Sequence, residues 1–216
     1  MIYKHIVFDV DGTLLDTKYA VLHAMQDTLK TVTGNSPRLE ELTFALGITG
    51  EDALKQLGIP NIPDVLNLWN ANTHKYGGTI RLFDGIRELI DTLKRNGCRL
   101  GIVTSRITAE FDHDFTPFGI NDYFDAVICA DLTTEHKPSP APLFKYMELT
   151  NSNSSEILYV GDSTYDMQCA KNADVDFALA CWGCNSRNLA ADYYPEGPLD
   201  LLNCIEADAA GTVSGA

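Results

Sequence analysis

Five short apolar runs recur along the chain, each followed by a stretch with helical spacing, and this alternation restricts the fold more than any other feature. The runs are residues 4–9, "CRLGIVTS" (98–105), "DAVICA" (125–130), "EILYVGD" (156–162) and "VDFALAC" (175–181). Both faces of each run are apolar, which suits strands covered by helices on either side. Between them lie "DGIRELIDTLKRNG", "SPAPLFKYMELT" and "STYDMQCAKNA", with helical periodicity and turn residues at their ends. Strand and helix in alternation predict a parallel α/β sheet.

Residues 17 to about 82 break this rhythm and contain no convincing strand. Instead "TKYAVLHAMQDTLKTVTG", "RLEELTFALG", "GEDALKQLG" and "PDVLNLWNANTHKYGG" read as helices. A helical cap over 17–82 is therefore expected on a core formed by 1–16 and 83–216, with hinges near 13–18 and 78–84. Thr49 and Asp52 form a weak capping box. The tail "ADAAGTVSGA" is expected to fray. No repeat of 20–50 residues is seen.

Open parallel sheets bind ligands at the carboxyl ends of their strands. There the sequence places Asp9 and Asp11 after the first run, Thr104 and Ser105 after the second, Asp131 to Lys137 after the third, and Asp162 and Asp166 after the fourth. Two carboxylates one residue apart repel, so something must gather them. A hard dication does so: Mg²⁺ takes oxygen ligands, typically one or two carboxylates plus water and phosphate. Asp9 and Asp162 supply the carboxylates if their strands are neighbours.

Composition narrows the ligand. Thirty acidic residues against sixteen basic ones leave a formal charge of −14, which disfavours a nucleic-acid partner. An anionic small molecule then needs a local positive site, from a metal or placed lysines. No apolar run is long enough to span a membrane, and "MIYKHIVFD" lacks the character of a signal peptide, so a cytoplasmic protein is expected. Of the six cysteines, Cys181 and Cys184 form a lone CxxC without a second ligand pair and read as ordinary small residues.

Taken together, "DVDGTLLDT", "VTS", "KPSP" and "GDSTYD" resemble the four motifs of the haloacid dehalogenase-like superfamily, and "WGCNS" is similar to its later loop. The resemblance spans nearly the whole chain and includes the small helical cap. It implies a Rossmann-like sheet of five main strands in the order 5-4-1-2-3. It also implies a Mg²⁺-dependent phosphatase of the phosphoglycolate phosphatase type. Asp9 would be the nucleophile that forms an aspartyl phosphate, and Asp11 the general acid and then base. Gly12 permits the turn after them. Thr104 and the Ser105 amide, near a helix start, would bind phosphate oxygens, and Lys137 would balance charge. Asp162 would bind the metal directly, with the Asp11 carbonyl as the family's other ligand. Asp166 would hold a metal water or orient a ligand. Asp16 and Thr17 are read as caps of the first helix, and Asp131 and Glu135 as solvated charges.

The presence of Asp11 favours phosphate chemistry over the family's reactions on carbon. Val21 stands where sugar-phosphate mutases usually carry a histidine, and His23 reads as a simple helix residue. The cap loop "LGITGEDAL", with Gly47, Thr49 and Gly50, would read the leaving group. Arg106 and Lys18 could clamp a second anion, although each is ordinarily a surface charge. A small phosphorylated substrate is expected, handled by a monomer or homodimer. The alternatives are a mutase or pyrophosphatase of the same family, a non-catalytic phosphate-binding scaffold, or a receiver module with a phospho-aspartate.

Overall fold

The computed structural model describes residues 3–211. Five strands form one parallel sheet: β1 (His5–Phe8), β4 (Arg99–Val103), β5 (Ala126–Ile128), β6 (Ile157–Gly161) and β7 (Asp176–Leu179). Their order is β5-β4-β1-β6-β7. Numbered as five main strands and read from the β7 edge, this is the expected 5-4-1-2-3.

Every residue of β1 and β6 is buried, which explains their continuous apolar sequence. Alternate side chains serve opposite faces. Ile6, Phe8, Leu100, Ile102, Leu158 and Val160 join one core, under α5 (Ile86–Arg95) and α9 (Asp200–Gly211). Val7, Val103, Ile157 and Tyr159 join the other, under α7 (Ala141–Thr150) and α8 (Thr164–Asn172). In α5 the buried residues are Ile86, Leu89, Ile90 and Leu93, an i, i+3, i+4, i+7 stripe.

Four helices fill the interval after β1: α1 (Lys18–Thr33), α2 (Leu39–Leu42), α3 (Gly50–Gln56) and α4 (Ile62–Lys75). They enclose a separate core containing Leu22, Met25, Leu54, Val65 and Trp69. The expectation of no strand from 17 to 82 needs correction. β2 (Leu15–Asp16) pairs antiparallel with β3 (Arg81–Leu82), so a short ladder joins the two connections to the helical layer. Pairs this short lie below any periodicity signal.

Two further corrections concern helix ends. Thr17 occupies the N-cap position of α1, but its hydroxyl makes no cap bond, and Asp16 pairs with Arg81 at 3.0 Å. The tail does not begin at residue 207: residues 207–211 close α9, and 212–216 lie outside the described residues. Helix α6 (Thr108–Asp114) was not anticipated. Among the described residues, no helix is long and apolar enough to cross a membrane.

Candidate active site

Register brings the carboxyl-end residues together. Phe8 pairs with Ile102 on one side and Val160 on the other, so Asp9, Thr104 and Asp162 emerge at one edge. The Asp9 amide continues the ladder, donating to the Val160 carbonyl at 2.9 Å. Gly12 turns the chain with φ +73°, and a Cβ there would lie 2.3 Å from an Asp162 carboxylate oxygen. Only glycine satisfies both demands. Gly183 braces the turn from behind, since its Cβ would meet the Gly12 carbonyl oxygen at 1.8 Å. Next to it, the Trp182 indole donates to the Thr13 carbonyl at 2.9 Å.

Lys137 reaches this edge from the loop after β5. Its Nζ lies 2.9 Å from Asp9 Oδ1 and 2.7 Å from Asp166 Oδ1, and all three side chains are buried. Tyr159, absent from the sequence-based set, completes the group. Its hydroxyl lies 3.1 Å from Lys137 Nζ and 2.9 Å from Asp166 Oδ1. A tyrosine inside an otherwise aliphatic strand was the available signal, because a buried hydroxyl needs a partner.

Asp166 also accepts from Ser163 through its other oxygen, from the amide at 3.1 Å and the hydroxyl at 2.5 Å. With both oxygens engaged, Asp166 acts as the anchor of Lys137 and of the α8 N-terminus. Asp162 is the opposite case, being 5% exposed with Oδ1 buried and unpartnered.

The electrostatics suit a bound cation. Burial pushes Asp9 up to about 7, aided by Asp166 and Asp11, while Lys137 pulls it down. Burial, then the charges of Asp166 and Asp9, push Asp162 well above the carboxylate range. Carboxylate oxygens of Asp9, Asp162 and Asp166 lie within 4.8 Å of one another. Against Lys137, these groups leave two negative charges uncompensated, the charge of one dication. An all-oxygen donor set with an orphaned carboxylate oxygen fits Mg²⁺.

Asp11 is held differently. Arg106 grips it with two bonds, Nε to Oδ2 at 2.7 Å and Nη2 to Oδ1 at 2.8 Å, and also bonds Asp114. Burial would raise the Asp11 carboxyl, but the Arg106 charge and hydrogen bonds outweigh it and hold the group below its usual range. Arg106 is therefore no surface charge; it is 8% exposed and lines the pocket above Asp9. Lys18 bonds Asn185 on the exterior and does not line that pocket.

Thr104 is 3% exposed, and its hydroxyl accepts from the Arg106 amide at 3.3 Å. The Ser105 amide does not open a helix, because α6 starts only at Thr108. Instead, the Ser105 hydroxyl donates to the Gly47 carbonyl of the cap loop at 2.8 Å. Gly47 and Gly50 line the pocket, as do Trp69, Asn70 and His74 of α4. Thr49 does not. It caps α3, accepting from the Asp52 amide and donating to the Asp52 carboxylate.

Asp131 is exposed, as expected of a solvated charge, and also accepts from the Thr108 amide and hydroxyl at the start of α6. Glu135 accepts from the Ser139 hydroxyl. His23 stacks on Tyr19 within α1. Cys181 and Cys184 form no disulfide.

Comparison with known proteins agrees with this geometry. The family model for haloacid dehalogenase-like hydrolases matches residues 6–180. A Clostridium perfringens protein named "Putative pyrophosphatase PpaX" is 31% identical over 94% of this chain and 97% of its own length. "Pyrophosphatase PpaX" of a Bacillus cereus strain is 26% identical over 92% of each chain. A crystal structure of a "putative phosphoglycolate phosphatase" from Lactobacillus plantarum superposes with a TM-score of 0.86 at 30% identity, covering 94% of this chain and 100% of that one. The match across most of the chain establishes that this protein belongs to the haloacid dehalogenase-like hydrolase family.

Proposed function

We propose that the protein is a Mg²⁺-dependent phosphatase that hydrolyses a small phosphorylated metabolite through an aspartyl phosphate on Asp9. The observation that carries this reading is the buried Lys137–Asp9 pair beside the unpartnered Asp162 oxygen. It supplies a nucleophile, a fixed positive charge and a carboxylate oxygen open to a cation at one sheet edge. Asp9 and Asp162, with the Asp11 carbonyl, would hold Mg²⁺. When bound, the ion supplies positive charge that offsets the carboxylates and the incoming phosphate.

The protein groups divide the remaining work. Asp9 attacks phosphorus in line with the leaving oxygen, and its carboxylate bonds to the phosphoryl group as the ester bond breaks. Lys137, oriented by Asp166 and Tyr159, balances charge on the transferring group. The Thr104 hydroxyl donates to a phosphoryl oxygen. Asp11 protonates the leaving oxygen, then takes a proton from the water that releases phosphate. To do so it must turn away from Arg106, which in this arrangement keeps it ionised. The pocket is shared between cap and core, so a closed cap leaves room only for a small leaving group.

A pyrophosphatase is the second reading, favoured by the names of two relatives. Phosphate release from a panel containing pyrophosphate, 2-phosphoglycolate, sugar phosphates and an aryl phosphate tests both, with Mg²⁺ and with chelator. Turnover abolished by chelator is expected; no turnover of any member would contradict the proposal.

A further inference from the structure

A second cluster of metal-ligating side chains spans the boundary between cap and core. His74 stands in the last turn of α4 and His113 in the last turn of α6. Their rings stack with centroids 3.8 Å apart at 18°. Asp114 adjoins them, its Oδ1 2.6 Å from His113 Nδ1. One ligand atom from each of His74, His113 and Asp114 lies within 4.8 Å of the others. A tetrahedral ion bound at 2.0–2.2 Å needs ligand atoms roughly 3.3 Å apart and lying in each ring plane; the stacked rings point their lone pairs side by side, so binding requires one exposed imidazole to rotate out of the stack toward the other and Asp114.

Two features show that the cluster is built rather than incidental. Asp114 is only 7% exposed, and its other oxygen is fixed by the buried Arg106. One turn earlier in each helix, Asn70 donates to Glu110 at 2.9 Å, which sets α4 and α6 in register. The surroundings favour a cation, because Asp11, Glu110 and Asp114 face the single guanidinium of Arg106. The chemistry differs from that of the inner site. Two imidazoles and a carboxylate select a borderline transition ion, whereas three carboxylates select a hard one.

We propose that His74, His113 and Asp114 bind a borderline transition-metal dication, for which Zn²⁺ is the probe, and that the ion clips the cap to the core at the pocket mouth. Binding does not depend on the phosphatase reading. The consequence for turnover does: substrate and product exchange need the cap to part from the core, so the clipped enzyme turns over more slowly.

The test titrates Zn²⁺ into the protein by calorimetry at saturating Mg²⁺, in a Cys181→Ser/Cys184→Ser background that removes thiol competition. The parent should take up one equivalent more than His74→Ala/His113→Ala, and each single variant should bind about tenfold or more weakly. Equal stoichiometry and affinity in parent and double variant would overturn the site. Imidazole NMR gives a variant-free readout: Zn²⁺ should shift two of the five histidines, and shifts confined to His5, His23 or His136 would also overturn it. In turnover assays Zn²⁺ should slow the parent several-fold more than the double variant, and equal inhibition would overturn the clip. Histidine-dependent uptake by a protein with no turnover would support the site and count against the phosphatase reading alone.

Discussion

Lys137 Nζ sits 2.9 Å from Asp9 Oδ1, with the two side chains 1% and 2% exposed. A buried ammonium this close opposes the desolvation that pushes Asp9 up to about 7, so it favours the ionised, nucleophilic form. Lys137→Met should lower kcat/KM on the order of 10²–10³-fold, as loss of one preorganised charge partner does elsewhere. It should also destabilise the fold by about 3–5 kcal/mol, because it strands buried carboxylates. Steady-state kinetics and urea melts of one variant preparation check both.

The raised carboxyls of Asp9 and Asp162 tie stability to pH and metal together. A group whose folded pKa is raised stabilises the fold fully below its ordinary value, near 3.8 for Asp9, and loses that contribution as pH rises through about 7. Asp162 is shifted in the same direction. In chelator, the melting temperature should therefore fall between pH 5 and pH 8. Mg²⁺, which favours the ionised carboxylates, should raise it by several degrees more at pH 8 than at pH 5. A Mg²⁺ effect that is the same at both pH values would contradict this account of the acidic site.

Gly12→Ala forces a Cβ to within 2.3 Å of Asp162 at a backbone φ of +73°. The strain should cost about 1–3 kcal/mol, and displacement of Asp162 should weaken Mg²⁺ binding. Isothermal titration of Mg²⁺ and a thermal melt separate the two effects. An unaltered Mg²⁺ affinity would mean that Asp162 does not bind the ion from this position.

Arg106 holds Asp11 and Asp114 at once, with the three side chains 9%, 20% and 7% exposed. Arg106→Ala should cost about 3–5 kcal/mol by leaving these carboxylates unpaired. Arg106→Lys keeps the charge but cannot reproduce the two-pronged grip, so its stability should fall between the two. Urea denaturation of the three proteins gives the order.

The sheet was legible because β1 and β6 are buried on both faces and carry almost nothing but apolar residues. The edge residues were legible because strand order and register place Asp9, Thr104 and Asp162 side by side. Pairings formed across long sequence separations were not. Arg106 meets Asp11 over 95 residues, and no local pattern distinguishes it from a solvated arginine. Its burial also depends on α6, a seven-residue helix too short to show periodicity. Thr17 illustrates the reverse error: it has a capping residue type at the capping position, yet its buried hydroxyl makes no cap bond. Helix α9 was hidden by the small residues that end it, which mimic a loose tail.

The central claim is that Asp9 carries the phosphoryl group during turnover. Acid quench of the enzyme during steady-state turnover, followed by peptide mass spectrometry, reads this directly. The account predicts one phosphoryl group on the peptide containing Asp9, absent in Asp9→Asn and absent when chelator is added before substrate. Steady turnover with no label on that peptide, or undiminished turnover by Asp9→Asn, would contradict it.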